Sequence, residues 1–408
     1  MDTTTTARRR SRLLLPTALL AVATTAAAAV FLGVPAGERD AGGPGTAELV
    51  RSGRVDLRRV EGSPVAAAEV AVARGQTRMH TEPYSMVAVT WRGQAPQVQV
   101  STRVGGSWSR WQDLEPLADG PDDLESRTTQ GSDLLWVDSA QDVRTRVQGA
   151  ATDVRLVLID PGTTATGQTA AQAAVRSTQQ AAHRTTQRSA QPTVQRTASA
   201  RIPTDVPRPR IRSRKRWGAD ESWRDGRPRY IRSIRQVHVH HTVNSNDYRR
   251  ADVAAMIRGM YRYHTYNLGW SDIGYNFLVD RFGRAWMGRA GGAARRVRGA
   301  HTLGFNHSST GISVIGNFDQ HRPPRAVLRT VSRLAAWKLD IDGRNPRGRI
   351  RVRSEGSDKY PAGKVVRLPV IDGHRDTNDT ACPGQRLYDR LPTIRRRAAR
   401  RIERFSGT

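Results

Sequence analysis

A chain of 408 residues with a 37% apolar fraction is long enough for two or three cored domains. Its 66 Lys and Arg against 37 Asp and Glu give a formal charge of +29, yet only Lys215, Lys338, Lys359 and Lys364 are lysines. That arginine excess matches the codon usage of a GC-rich genome and argues against a nucleic-acid partner, while one cysteine, Cys382, rules out an internal disulfide.

In chain order, Arg8-Arg9-Arg10-Ser11-Arg12 precedes an apolar run from Leu13 to Val34 that ends in Val34-Pro35-Ala36. Residues 1–36 therefore read as an export signal, or as a membrane anchor if the run is retained. The protein is expected to be secreted or held at the cell wall. Residues 37–53 read as a tether. From 54 to 161 short runs of β-formers follow: Ser85–Trp91, Gln97–Val104, Leu134–Val137, Val143–Val147 and Val154–Ile159. Several alternate with period two and are separated by Gly and Pro turns, which predicts an all-β, sandwich-like accessory domain. Trp91, Trp108, Trp111 and Trp136 are expected in its core and rim rather than on a sugar-stacking surface.

Residues 162–209 are rich in Thr, Ala, Gln and Ser, and Thr163 to Arg201 holds no aromatic residue. Such a segment cannot bury enough apolar area to offset chain entropy, so it reads as a linker between halves expected to melt independently. From 210 to 408 strands and helices mix. Gln236–His240, Asn276–Val279, Arg284–Met287 and Gly311–Ile315 read as strands; Ala251–His264, Arg325–Leu339 and Leu387–Phe405 have helical spacing. An α/β domain with a central mixed sheet flanked by helices is expected. The basic segment Arg347–Arg353 with the turn at Tyr360–Gly363 suggests an added hairpin, and Ala293–Arg298 an arginine-bearing loop.

Chemistry concentrates in two places. His238-Val-His240-His241-Thr242 lies on a strand, and His374 stands upstream of Cys382 in Asp372–Gly384. Two imidazoles and a thiolate make the ligand set of a catalytic zinc site that keeps one position open. On a strand His238 and His240 share a face and His241 points away, so residue pattern alone leaves His238 and His240 as alternatives.

Six ordered blocks carry a resemblance: Arg216–Ala219, His240-His241-Thr242, Gly269–Phe277, Gly299–Asn306, Thr310–Phe318 and Gly373–Asp376 with Cys382-Pro-Gly384. Together they closely resemble the N-acetylmuramoyl-L-alanine amidase family that includes the peptidoglycan recognition proteins, over about half the chain, in the arrangement of secreted actinobacterial wall amidases. The resemblance implies a Zn2+ ion on His240, His374 and Cys382. It implies Tyr275 and Thr380 as catalytic residues, and His241, Trp270, Asn276, His301 and Asn306 along the substrate groove. Some relatives carry lysine where this chain has Thr380. Asp376 is open to two roles, orienting a ligand histidine or capping the following turn. The expected activity is hydrolysis of the amide between N-acetylmuramic acid and L-alanine by a monomer, with peptidoglycan and anionic wall polymers as partners. The competing reading is a recognition module that binds muramoyl peptide without cutting it.

Overall fold

The computed structural model describes residues 49–121, 129–162 and 205–406. The expected export segment, most of the tether and nearly all of the linker lie outside the described residues.

In the N-terminal half the 18-residue strand Gly75–Arg92 is the spine. Its first part pairs antiparallel with Leu135–Gln148 and its last part with Thr152–Asp160, while Gln97–Val104 extends the sheet from Leu135–Gln148. The half is all β, as its alternating pattern predicts. Leu135–Gln148 is one strand where the sequence suggests two, because the register slips near Asp138, which sits at φ 63, without ending the pairing. Ala66–Ala71 pairs with Thr152–Asp160 although its alanines carry no strand signal. Trp91 and Trp136 are buried; Trp108 and Trp111 lie at the rim, with the guanidinium groups of Arg144 and Arg146 stacked 4.0 Å from their ring centres.

The second half is built on a six-stranded mixed sheet in the order Ile211–Arg212, Ala285–Met287, Phe277–Val279, Ser309–Val314, Gln236–His241, Ile371–Gly373. Every residue of the inner strands Gln236–His241 and Ser309–Val314 is buried, as expected of parallel strands covered on both faces. Val237, Val239, Ile312 and Val314 pack with the helices Arg325–Asp340 and Leu391–Phe405. Alternation then sends His238 and His240 to the opposite face. Arg349–Arg353 and Val365–Pro369 form the expected hairpin. Ser357, in its connection, donates to Thr377 O at 2.9 Å and fixes the hairpin against the loop that leads to Thr380.

Against the expectation that the halves melt independently stands their contact. Met86, Trp136, Val157 and Ile159 of the β half share one core with Met256, Ile257, Met260, Tyr263 and Leu268 of the second. Helix Val253–Arg262 is buried nearly all round, which places it between two layers rather than on a surface. Gly259 lets it approach: a Cβ there would lie 2.1 Å from Met86 Sδ. Tyr263 OH donates to Ser132 O at 2.9 Å, and Arg258 donates through Nη2 to Pro161 O at 2.9 Å. The linker is polar, but the surfaces it joins are not.

The arginine-bearing loop is held from beneath by Lys338, whose buried ammonium donates to Ala293 O at 3.0 Å and Arg295 O at 2.8 Å. Arg296 and Arg298 are paired with Asp342 and Glu355, each at 2.9 Å. Burial pulls the Lys338 amine down to about 7, with Asp342 opposing. Lys338→Met should cost about 1–3 kcal/mol by orphaning those carbonyls. Because the unfolded amine still holds its proton between pH 7 and 10, stability rises with pH through that window in the wild type only. Denaturant melts should therefore show the wild-type advantage growing by roughly 1–3 kcal/mol from pH 7 to pH 9.

Candidate metal centre

The strand Gln236–His241 carries His240 at the sheet's C-terminal edge, and His374 follows the neighbouring strand Ile371–Gly373 directly. Cys382 returns to the same point because the chain between them folds on itself. Thr377 and Asn378 donate to His374 O at 3.0 Å, and Arg375 N donates to Cys382 O at 2.9 Å. Asp376 caps this turn, its Oδ2 accepting from Gly373 N at 2.9 Å and its Oδ1 from Tyr388 OH at 2.7 Å. Donor atoms of His240, His374 and Cys382 all lie within 4.8 Å of one another, and all three residues are buried.

The chemistry of this set fits a zinc-like ion. His240 Nδ1 lies 3.8 Å from Cys382 Sγ, close to the edge of about 3.6 Å that separates N and S ligands of tetrahedral zinc. On its far side, His240 Nε2 meets His301 Nδ1 at 3.1 Å. With Nδ1 turned to the metal position, Nε2 keeps its proton and donates to His301, the partner that fixes tautomer and ring orientation. Burial, with no counter-charge strong enough to offset it, pulls His374 down to about 3, lowers His240, and pushes the Cys382 thiol up. A thiolate here needs a cation beside it.

His238 stands apart from the three donors. Its Nδ1 lies 2.5 Å from Asp372 Oδ1, both side chains fully buried, which makes it a framework residue. Of the residues expected along the groove, His241 accepts from Phe318 N at 3.3 Å and lines the cavity beside the three donors. Asn276 ties Gly311 N to Val297 O, and Trp270 packs on His264 with ring centres 4.4 Å apart. His301 and Asn306 are fully buried. Asn306 Oδ1 accepts from His301 N at 2.8 Å while its Nδ2 donates to Gly120 O at 2.9 Å. In this arrangement His301 meets His240 rather than open groove.

Two glycines make room for that imidazole. A Cβ on Gly311 would lie 2.5 Å from the His301 ring, and one on Gly299 would lie 2.3 Å from it. Gly311→Ala should displace His301 from His240 and weaken metal affinity by about ten- to a hundredfold, the usual cost of losing an outer partner, as measured by competition with a chelator.

Tyr275 and Thr380 flank the donors. The Tyr275 ring centre is 5.6 Å from that of His240, and Thr380 Oγ1 accepts from Cys382 N at 3.2 Å. A cavity of about 410 Å³ opens here, bounded by Leu117, Asp133, Tyr275, His374, Thr380 and Cys382.

No sequence motif points to Asp119, which belongs to the β half. Its Oδ1 lies 3.4 Å from both His240 Nδ1 and His374 Nδ1, and its Oδ2 accepts from Tyr275 OH at 2.6 Å. Burial raises its carboxyl to about 6, with His374 and the Tyr275 hydrogen bond opposing. Asp133, also buried and repelled by Asp119, is raised as well. A long-range contact of this kind leaves no local signature.

A family model described as N-acetylmuramoyl-L-alanine amidase matches residues 230–385. Another, described as Rv3811 N-terminal galactose-binding domain-like, matches residues 53–193. The chain is 34% identical over 210 residues to the human protein named N-acetylmuramoyl-L-alanine amidase, covering 48% of this chain and 32% of that protein. It is 31% identical over 180 residues to peptidoglycan-recognition protein SC1a of Drosophila melanogaster, covering 44% of this chain and 82% of that protein. Among solved structures it is similar to Drosophila PGRP-LB, at 27% identity and a TM-score of 0.36 over 45% of this chain and 93% of that one.

Proposed function

The chain belongs to the N-acetylmuramoyl-L-alanine amidase family that includes the peptidoglycan-recognition proteins, and on that premise we propose that it is an exported, zinc-dependent hydrolase of the amide between N-acetylmuramic acid and L-alanine in peptidoglycan. The observation that carries the reading is the convergence of His240, His374 and Cys382 at one buried point beside the Tyr275 hydroxyl. A zinc ion on those donors would supply a Lewis acid for the scissile carbonyl and a water acidic enough to be the nucleophile near neutral pH.

The chain's own groups do the rest. The Tyr275 hydroxyl already donates to an anionic oxygen at this point, that of Asp119, so its proton is aimed where negative charge develops on the carbonyl oxygen. Thr380 spends a lone pair on Cys382 N, which leaves its hydroxyl proton to donate into the cavity. His301 holds the His240 ring in one orientation through its Nδ1. The basic outer surface favours anionic wall material by salt-dependent attraction.

Purified protein given peptidoglycan to exhaustion should release fragments with new L-alanine amino termini, stop after treatment with a strong chelator, and resume on adding zinc. Cleavage indifferent to the chelator, or no new termini from either sacculi or soluble muramoyl peptides, would refute the reading. A second reading, a module that binds without cutting, draws on Asp119 standing over the donors; it predicts retention on sacculi with no new termini.

A further inference from the structure

The segment from Glu115 to Gly120 of the β half crosses the metal site, and its contacts are not those of a passing loop. Its own domain anchors it: Leu117 N donates to Gly131 O at 2.8 Å, and Asp133 N donates to Glu115 O at 2.9 Å. Leu117 packs against the core shared by the two halves. The second half then takes hold of its tip, through Asn306 on Gly120 O and Tyr275 on Asp119. The Asp119 side chain is 5% exposed, and among the described residues its Oδ1 has no hydrogen-bond donor.

A cation beside a buried carboxylate oxygen offsets the cost of holding its charge away from water. Two imidazole nitrogens, Nδ1 of His240 and Nδ1 of His374, each lie 3.4 Å from Oδ1. In tetrahedral zinc coordination, bonds of about 2.0–2.2 Å to N and O place neighbouring ligand atoms about 3.3–3.5 Å apart. Asp119 Oδ1 therefore stands at ligand spacing from His240 and His374 at once. A carboxylate acting as a base on a water would leave room for that water between itself and the ion, and this spacing leaves none.

Resting on the zinc reading above, we propose that Asp119 is a fourth, intramolecular ligand of the metal, so that the folded chain holds its own site closed and hydrolyses substrate only when the tip 118–120 withdraws. The same carboxylate occupies the Tyr275 hydroxyl through its other oxygen, so one residue blocks both the open coordination position and the donor for the carbonyl oxygen. Withdrawal of the tip breaks the Tyr275 and Asn306 hydrogen bonds and leaves Leu117 and the Met86–Gly259 contact between the halves in place. Closure and domain association are thus separable.

The test uses the full chain with Co2+ in place of zinc, comparing wild type with Asp119→Ala and with Asp119→Asn, which keeps the side-chain volume should the alanine variant fold poorly. The wild-type visible absorption should be that of a filled four-coordinate site and unmoved by azide. Both variants should show an altered spectrum that responds to azide, and should cut a soluble muramoyl peptide at least about tenfold faster in the zinc form. An identical spectrum and azide response in all three proteins overturns the proposal. So does a slower variant, which would make Asp119 a participant in the reaction. If the spectra change as expected while no protein cuts any muramoyl peptide, the ligand assignment stands and the hydrolase reading falls. If no protein binds Co2+, both fall.

Discussion

Cys382→Ala should abolish hydrolysis and leave the dialysed protein with less than about one-tenth of the wild-type zinc, because each protein ligand carries a large share of the affinity. The sulfur is well placed for this. It lies 3.8 Å from His240 Nδ1 and accepts from His241 N at 3.4 Å, a backbone donor that stabilises a thiolate. Burial pushes the free thiol up, so metal binding must displace a proton and zinc affinity should fall as the solution is acidified. His374→Ala should behave alike. His238→Ala is the contrasting variant: zinc content near one per chain is expected, with a lower melting temperature because Asp372 loses its buried partner. Full zinc content in Cys382→Ala, at an unchanged melting temperature, would remove the cysteine from the site.

Much of this site could be read from residue order, for a physical reason. His240 lies on a parallel strand and His374 and Cys382 on one short turn, so spacing and period constrain them locally. The choice between His238 and His240 could not be made that way, since both point to one face of the strand; what separates them is Asp372 on the neighbouring strand, paired with His238 across the sheet. His301 was legible as a groove residue and proved to be a partner of His240. The signal for that role lies in Gly311 and Gly299, whose missing side chains leave the space the ring fills. Asp119 carried no signal for a place in the site, because its distance from the amidase blocks in sequence is closed only by the packing of two domains. The domains themselves were legible as an all-β half and an α/β half. Their union was not. Helix Val253–Arg262 shows strong amphipathic spacing, but the residues off its apolar stripe include Arg258 and Gly259, which look solvent-facing in sequence and are buried against the β half.

That union carries the last expectation: removing residues 1–204 should leave the amidase half unable to fold stably. The cut uncovers Met256, Ile257, Met260, Tyr263 and Leu268 and strips Arg258 of its carbonyl acceptor Pro161 O. Fully exposing five such side chains forfeits about 1.5–3 kcal/mol each, an upper bound of roughly 8–15 kcal/mol. Since a domain has only about 5–15 kcal/mol in total, even half of that loss is decisive. The full chain should accordingly unfold in one calorimetric transition over its structured region, and the truncated chain should aggregate or melt at least about 10 °C lower. Two resolved transitions in the full chain, or a monomeric truncated protein that melts like the parent, would show that the shared core adds little. The experiment also separates two roles of the β half. Truncation removes the Asp119 segment together with the supporting interface, so a truncated protein that is inactive says nothing against closure of the site by Asp119. If closure and support are separate devices, Asp119→Asn should open the site while keeping the single transition and the parent melting temperature to within a few degrees.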